Sequence, residues 1–415
     1  MEKQMRRDAM FIVDEAIRRV MPDAAVRRAL EGRTFPGRVV MISVGKAAWR
    51  MAAAAVNALD HLVDRGVVIT KYGHSMGKIP GCECFEAGHP VPDGNSFRAA
   101  RRAVEAVRGL TENDTVLFLL SGGGSALFEL PLVPPEELRQ VTEALLACGA
   151  DIVEINTIRK RLSGVKGGRF ARLCAPARVL SVILSDIIWD RVDMIASGPA
   201  CPDSSTSAGA LAVVKKYDLH FSDAVMECLT EETPKTLPHV ETVVTGSVRE
   251  LCEGAAAACA SLGYTPLILT DTMDGEAREA GSFLAAIARK YASSGKKLAF
   301  LAGGETVVHL TGRGKGGRNQ EIALSAAKGI AGLEDVCVFS VGSDGTDGPT
   351  DAAGGIVDGG TCGELEKKGI RIDGILADNN AYSALAAVNS LIMTGPTGTN
   401  VNDVSVVLIG SAGVP

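Results

Sequence analysis

The sequence predicts an α/β protein built as two sandwiches, and three observations carry that reading. Short apolar runs alternate with alanine-rich helical runs along the whole chain. A proline-bearing stretch, residues 231–241, interrupts the alternation, which then restarts. Glycines, cations and acids gather just after the apolar runs, at the carboxyl ends of the predicted strands, where open α/β sheets bind ligands.

The predicted strands cover residues 38–44, 66–72, 115–120 and 179–184 before the interruption, and 243–246, 266–270, 298–302, 336–341 and 404–409 after it. The predicted helices cover 47–59, 96–107, 134–149, 248–262, 275–294 and 321–328. Residues 1–19 carry Phe11, Ile12, Ala16 and Ile17 at helical spacing among charges, which reads as an amphipathic surface helix.

Bulk composition bounds the function. The 415 residues suffice for two or three domains, with 46% hydrophobic and 22% charged residues. Aromatics are only 4%, so the cores must be aliphatic. With 43 basic and 49 acidic side chains the net charge is −6, which argues against a nucleic-acid binder. No uncharged apolar run reaches membrane-spanning length, so the expected location is the cytoplasm, without membrane attachment. The ten cysteines form no zinc spacing and are expected as reduced thiols, mostly in the cores.

The densest stretch runs from Gly303 to Glu321, with six glycines, three cations and two acids between a strand and a helix. Such a loop either exposes N–H groups to an anion or is a plain solvated turn. Gly312, Gly314 and Gly317 also fit G-x-G-x-x-G, although Arg313 and Lys315 fill its variable positions. Earlier, Ser43-Val44-Gly45-Lys46 ends the first strand, and Lys46 at a helix start is electrostatically unfavourable without an anion. Ser121-Gly122-Gly123-Gly124-Ser125 follows a buried strand and permits close approach of a ligand to the backbone, or a tight turn. It is neither a P-loop nor a hydrolase nucleophile elbow.

Residues 156–169 pack Arg159, Lys160, Arg161, Lys166 and Arg169 among glycines, as a solvated face or a local anion site. His89, in a proline-rich loop, reads as a structural hydrogen-bonding histidine or a base, and Ser96 as a helix cap. Asp186 and Asp190 follow a buried strand, where acids commonly hold magnesium or a substrate hydroxyl. Asp344, Asp347 and Asp351 form either a cation loop without EF-hand spacing or an Asp-Gly turn. Together these groups suit phosphoryl transfer, in which cations and N–H groups hold phosphates while acids hold magnesium and orient the attacking hydroxyl.

At this point the chain resembles the class II glycerate kinases, the glycerate 2-kinase group with a C-terminal MOFRL domain. Gly45-Lys46, Gly88-His89-Pro90-Val91-Pro92-Asp93, Ser121 to Ser125, Asn156 to Gly168, Gly304-Glu305-Thr306, Gly316 to Glu321, Thr346 to Asp351 and Gly395 to Asp403 carry the resemblance. It implies two three-layer α/β domains, residues 1–235 with a Rossmann-like, mostly parallel sheet and 236–415 containing the MOFRL region near 296–410. The active site is expected in the cleft between them. It implies ATP-dependent phosphorylation of D-glycerate on the 2-hydroxyl, with Mg2+ or another divalent cation, by a monomer or homodimer.

Lys46 and Arg318 match the family's active-site lysine and arginine, and Asp186 is the candidate base. Ser121, Gly122, Gly123, Gly124, Ser125, Asn156, Arg159, Lys166, Glu305, Asn319, Gln320 and Asp347 are the expected substrate and nucleotide contacts. Asp190 and Asp351 are the expected magnesium ligands. Trp189 stands where the family has glycine, and Arg191 where it has an acid, which bears on the acceptor pocket. The alternative activity is hydroxypyruvate reduction with NADH or NADPH, which would use the glycines at 312, 314 and 317.

Overall fold

The computed structural model describes residues 2–185 and 192–411. Asp186, Trp189, Asp190 and Arg191 lie outside the described residues. Two compact units form: residues 22–185 with 192–245, and residues 2–21 with 246–411.

The first unit holds strands β1 Val39–Val44, β2 Val63–Lys71, β3 Cys82–Ala87, β4 Thr115–Leu120, β5 Arg178–Ile183 and β6 Val240–Val244. They form one sheet in the order β3-β2-β1-β4-β5-β6, parallel throughout. β1 and β4 are buried along their whole length, as their unbroken apolar runs require of central parallel strands. The helix Ala48–Leu59 packs on β1, β2 and β4, and the helix Gly94–Ala106 on β2 and β3. The order reverses between β1 and β4, so right-handed crossovers leaving in opposite directions put these helices on opposite faces. Asp114 locks the start of β4 to β1, accepting from Arg38 N, Nε and Nη2 at 2.9–3.2 Å.

The second unit holds β7 Thr265–Met273, β8 Leu298–Gly304, β9 Val336–Gly342, β10 Gly354–Asp358, β11 Leu391–Ile392 and β12 Asp403–Ile409. The order is β11-β10-β9-β12-β8-β7, and only β7 and β8 pair in parallel. β12 therefore lies at the centre of this sheet, running antiparallel between β8 and β9. Successive β8 residues face opposite layers. Ala302 joins the core of the helices Ala277–Tyr291 and Arg318–Gly329. A Cβ at Gly303 would fall 2.4 Å from Cys252 Sγ on the helix Val248–Ser261.

The division differs from a break after residue 235. β6 follows that point yet pairs with β5, extending the first sheet. The helix Glu2–Arg19 belongs to the second unit. Tyr264 donates to Asp8 at 2.9 Å, Arg6 pairs with Asp358 at 3.3 Å, and Thr399 donates to the Val20 carbonyl at 2.9 Å. Ser96 is the N3 residue of a capping box rather than the cap. Asp93 is the N-cap, and each residue's side chain accepts from the other's N–H. All ten cysteines are free, but only Cys174, Cys252, Cys259 and Cys337 are buried.

Candidate functional site

In the first unit the chemistry gathers at the switch point of the parallel sheet. β1 and β4 are neighbours, so the turns that follow them meet. A Cβ at Gly45, whose φ is +124°, would fall 2.2 Å from Ser121 Oγ, so only glycine fits. Lys46 N donates to the Gly122 carbonyl at 2.9 Å, and Ala47 N to Ser121 Oγ at 3.1 Å. Ser121 is thus buried as a strut between the two turns, not presented to a substrate. Gly123 is left-handed (φ +87°), and its absent side chain leaves room for the His89 ring and the Lys46 stem, 3.0 Å and 3.3 Å from the Cβ position. Nothing in the described residues accepts from the N–H groups of Gly122 and Gly123.

The same sheet edge brings Lys71, the last residue of β2, His74, after β2, and His89, after β3, towards Lys46. Burial first, and then the charges of Lys46, Lys71 and His74, push His89 below the usual histidine range. This favours the neutral imidazole, which has no hydrogen-bond partner among the described residues, unlike the structural histidine the loop suggested. Lys46 is exposed and has no carboxylate partner among those residues. The edge sets these cations beside open backbone donors, which suits a phosphate or carboxylate. A cavity of about 750 Å3 at the opposite edge, lined by Arg33, Asn113, Arg178 and His239 among others, contains none of the predicted residues.

The basic run behaves differently from an anion site. Asp151 caps the helix Ile152–Arg161, which turns Lys160 and Arg161 inward. Lys160 Nζ meets Asp203 at 3.0 Å, and Arg161 donates to the Thr157 carbonyl and to Ser205. Lys166 is fully buried against Glu129, so it is a structural ion pair rather than a substrate contact. Asn156 is also buried, accepting from Ser197 Oγ at 2.8 Å, and Ser197 Oγ lies 3.3 Å from Ser125 Oγ. Arg159 donates to the Ser125 carbonyl at 3.3 Å. A Cβ on Gly124 would fall 2.6 Å from Ala196 Cβ, so this glycine serves packing.

In the second unit the polar groups gather where β8 and β9 end and β12 begins. Asp403 opens β12 between Gly304 and Gly342. Arg318 opens the helix Arg318–Gly329 and reaches Asp403 through Nε at 2.5 Å and Nη2 at 3.1 Å. Its Nη1 donates to Glu305 at 3.0 Å. Asp403 lay inside the motif read from sequence, but only strand order shows that it is the partner of Arg318.

The helix N-terminus expected to hold a ligand anion already holds Asp347. Asp347 accepts from Asn319 N at 3.2 Å and Gln320 N at 2.8 Å. Burial pushes Asp347 up to about 7, against those two N–H donors. Asn319 and Gln320 are buried too, bonded to Ser340 Oγ and Thr350 Oγ1 at 2.5 and 2.8 Å. These three residues build the frame behind Arg318 and do not face solvent.

The glycine-rich loop is likewise occupied from within. Thr311 N and Gly312 N donate to Asn379 Oδ1, Arg313 N to Asp378 Oδ1, and Gly314 N to the Asp378 carbonyl, all at 2.8–3.0 Å. Cβ atoms at Gly312, Gly314 and Gly317 would fall 2.3–2.4 Å from Asp378, Asn380 and Asp347. Close packing on residues 378–380 and 347 accounts for the spacing that resembled a dinucleotide fingerprint. Asp351 is exposed and accepts from Tyr382 OH at 2.7 Å, and Lys315 Nζ lies 4.5 Å from the Tyr382 ring centre. No group of three or more His, Cys, Asp or Glu suited to a metal occurs among the described residues.

Comparison with known proteins matches two regions of the chain. Residues 8–230 match the family described as a domain of unknown function, DUF4147, and residues 298–403 match the MOFRL family. A D-glycerate 2-kinase of Thermotoga maritima is 51% identical, covering 98% of this chain and 99% of its own. A glycerate 2-kinase of Pyrococcus horikoshii is 40% identical, with 98% of each chain covered. The crystal structure of a glycerate kinase from Thermotoga maritima superposes with a TM-score of 0.95 at 50% identity, covering 98% of this chain and 100% of that one. The chain belongs to the glycerate kinase family whose members carry a DUF4147 region followed by a C-terminal MOFRL domain.

Proposed function

We propose that this chain phosphorylates D-glycerate on its 2-hydroxyl, with ATP as phosphoryl donor, giving 2-phosphoglycerate and ADP. The observation that carries the chemistry is the switch-point edge, where Lys46 has no carboxylate partner among the described residues and the N–H groups of Gly122 and Gly123 are open. Full-length similarity to glycerate 2-kinases names the acceptor. Lys46 offsets the charge that spreads over the phosphoryl oxygens in the transition state, as preorganised donors do. Arg318 takes the second anionic group, carboxylate or phosphate, with its planar fork. Asp186, outside the described residues, keeps the role of base towards the 2-hydroxyl.

A divalent cation accompanies the nucleotide. Mg2+ commonly binds one or two carboxylates plus substrate phosphates, so exposed Asp351, with Asp190 outside the described residues, suits it without a closed protein cage. No helix among the described residues is long and apolar enough to cross a membrane, and we place the protein in the cytoplasm as a monomer or homodimer. The reductase reading loses its motif, because the glycines at 312, 314 and 317 are filled by protein atoms.

The test is ADP release with D-glycerate, ATP and Mg2+, followed by enolase without added mutase. Direct conversion by enolase is the expected result. ADP release without it would move the attack to the 3-hydroxyl, and no ADP release would overturn the proposal.

A further inference from the structure

The Arg318 guanidinium is divided between two carboxylates of opposite character. Asp403 is buried, 3% exposed, and grips Nε and Nη2 as a parallel pair of bonds. It sits on the first residue of a central strand, between two glycines, so the backbone fixes it. Asn319, itself held by Ser340 and bonded to Asp347, lies beside it and favours its charged form. Glu305, by contrast, exposes 44% of its side chain and meets only Nη1, on the side of Arg318 open to water.

These differences set what each contact can do. A buried carboxylate that loses its cation has no water to replace it, so the Asp403 pair persists. An exposed ion pair exchanges readily for hydration, so the Glu305 pair opens at little cost. Asp347 adds a third acid close enough to act on Arg318. An incoming anion therefore meets a cation already surrounded by acids, and the displaceable one is Glu305.

We propose that Asp403 is the positioning residue for Arg318, and that Glu305 holds Nη1 as a resident anion which an anionic substrate must displace. This rests on the reading of Arg318 as a substrate contact. Glu305 then acts as a filter: a weakly bound oxyanion such as inorganic phosphate fails to displace it, while a substrate held at further points succeeds.

The test uses the full-length enzyme and the variants Glu305→Gln, Asp403→Asn, Arg318→Ala and Arg318→Ala/Asp403→Asn. Glu305→Gln is expected to lower the inhibition constant of inorganic phosphate, and the KM of one anionic substrate, by about threefold or more, the upper part of the range for an exposed ion pair. Asp403→Asn is expected to lower kcat about tenfold or more in the wild-type background and not at all in the Arg318→Ala background, because it acts through that arginine. Unchanged phosphate inhibition and KM values in Glu305→Gln overturn the filter. A further loss from Asp403→Asn without Arg318 overturns the positioning role. If Asp403→Asn does not fold, Glu305→Gln, at an exposed position, still decides the filter. Near-normal turnover in folded Arg318→Ala would instead remove Arg318 from the mechanism.

Discussion

Lys166 and Glu129 form an ion pair in which neither side chain has any solvent-exposed surface. Burial pushes the Lys166 ammonium down to about 8, and the Glu129 charge opposes that fall. Lys166→Ala should therefore destabilise the first unit by about 3–5 kcal/mol by stranding a buried carboxylate. Lys166→Met with Glu129→Leu should recover most of that loss. Urea unfolding of the three proteins checks this; a Lys166→Ala variant of wild-type stability with a raised KM would return Lys166 to substrate binding.

Lys46→Ala should lower kcat at least ~100-fold, within the range for losing one charge-stabilising donor. Its exposed side chain has no carboxylate partner among the described residues, so stability should stay within about 0.5 kcal/mol of wild type. Steady-state kinetics and thermal melting on one preparation separate the two quantities. Near-normal turnover would remove Lys46 from the mechanism. Arg318→Ala should lower turnover similarly and also lower stability, because it leaves Asp403 buried without its cation.

Asp347 makes a pH prediction with a defined sign. Its pKa is about 7 in the folded chain and about 3.9 when unfolded, so the folded state binds the extra proton between these values. That contribution favours folding at low pH, fades as pH rises from about 4 to about 7, and is absent above. Asp347→Asn does not titrate, so its melting temperature relative to wild type should rise across this window and then level off. A difference independent of pH between 4 and 8 would mean that the carboxylate titrates alike in both states.

Gly314→Ala should cost about 1–3 kcal/mol, the usual penalty for overpacking, because the new methyl would meet Asn380 Cβ at 2.4 Å and the Asp378 carbonyl oxygen at 2.5 Å. Gly374→Ala is the contrasting control, as open space surrounds its Cβ position on the helix Ile372–Ala377. It should leave stability unchanged or slightly raised. Guanidinium midpoints measure both, and an unperturbed Gly314→Ala would reopen the loop to a ligand.

The α/β class, most strands and the sheet edges where the candidate site residues gather were legible in the sequence. Those properties are local: unbroken apolar runs make buried strands, and small polar residues after them make turns. The sequence also placed Lys46 and Gly122 to Gly124 correctly at strand ends, where the strand order then brings them together. Sequence could not show which charges are spent inside the protein. Lys160, Arg161, Lys166 and Asp347 look like their exposed counterparts until partners distant in the chain bury them. The same holds for the glycines at 312, 314 and 317, whose spacing fits a phosphate turn while their space is filled by residues 378–380 and 347. β12 is the clearest case, since a final strand can join either sheet until pairing is formed. Its insertion between β8 and β9 sets Asp403 beside Arg318, 85 positions apart in the chain. Pairing and burial are non-local, so tertiary structure alone decided which of these charged groups remain free to act.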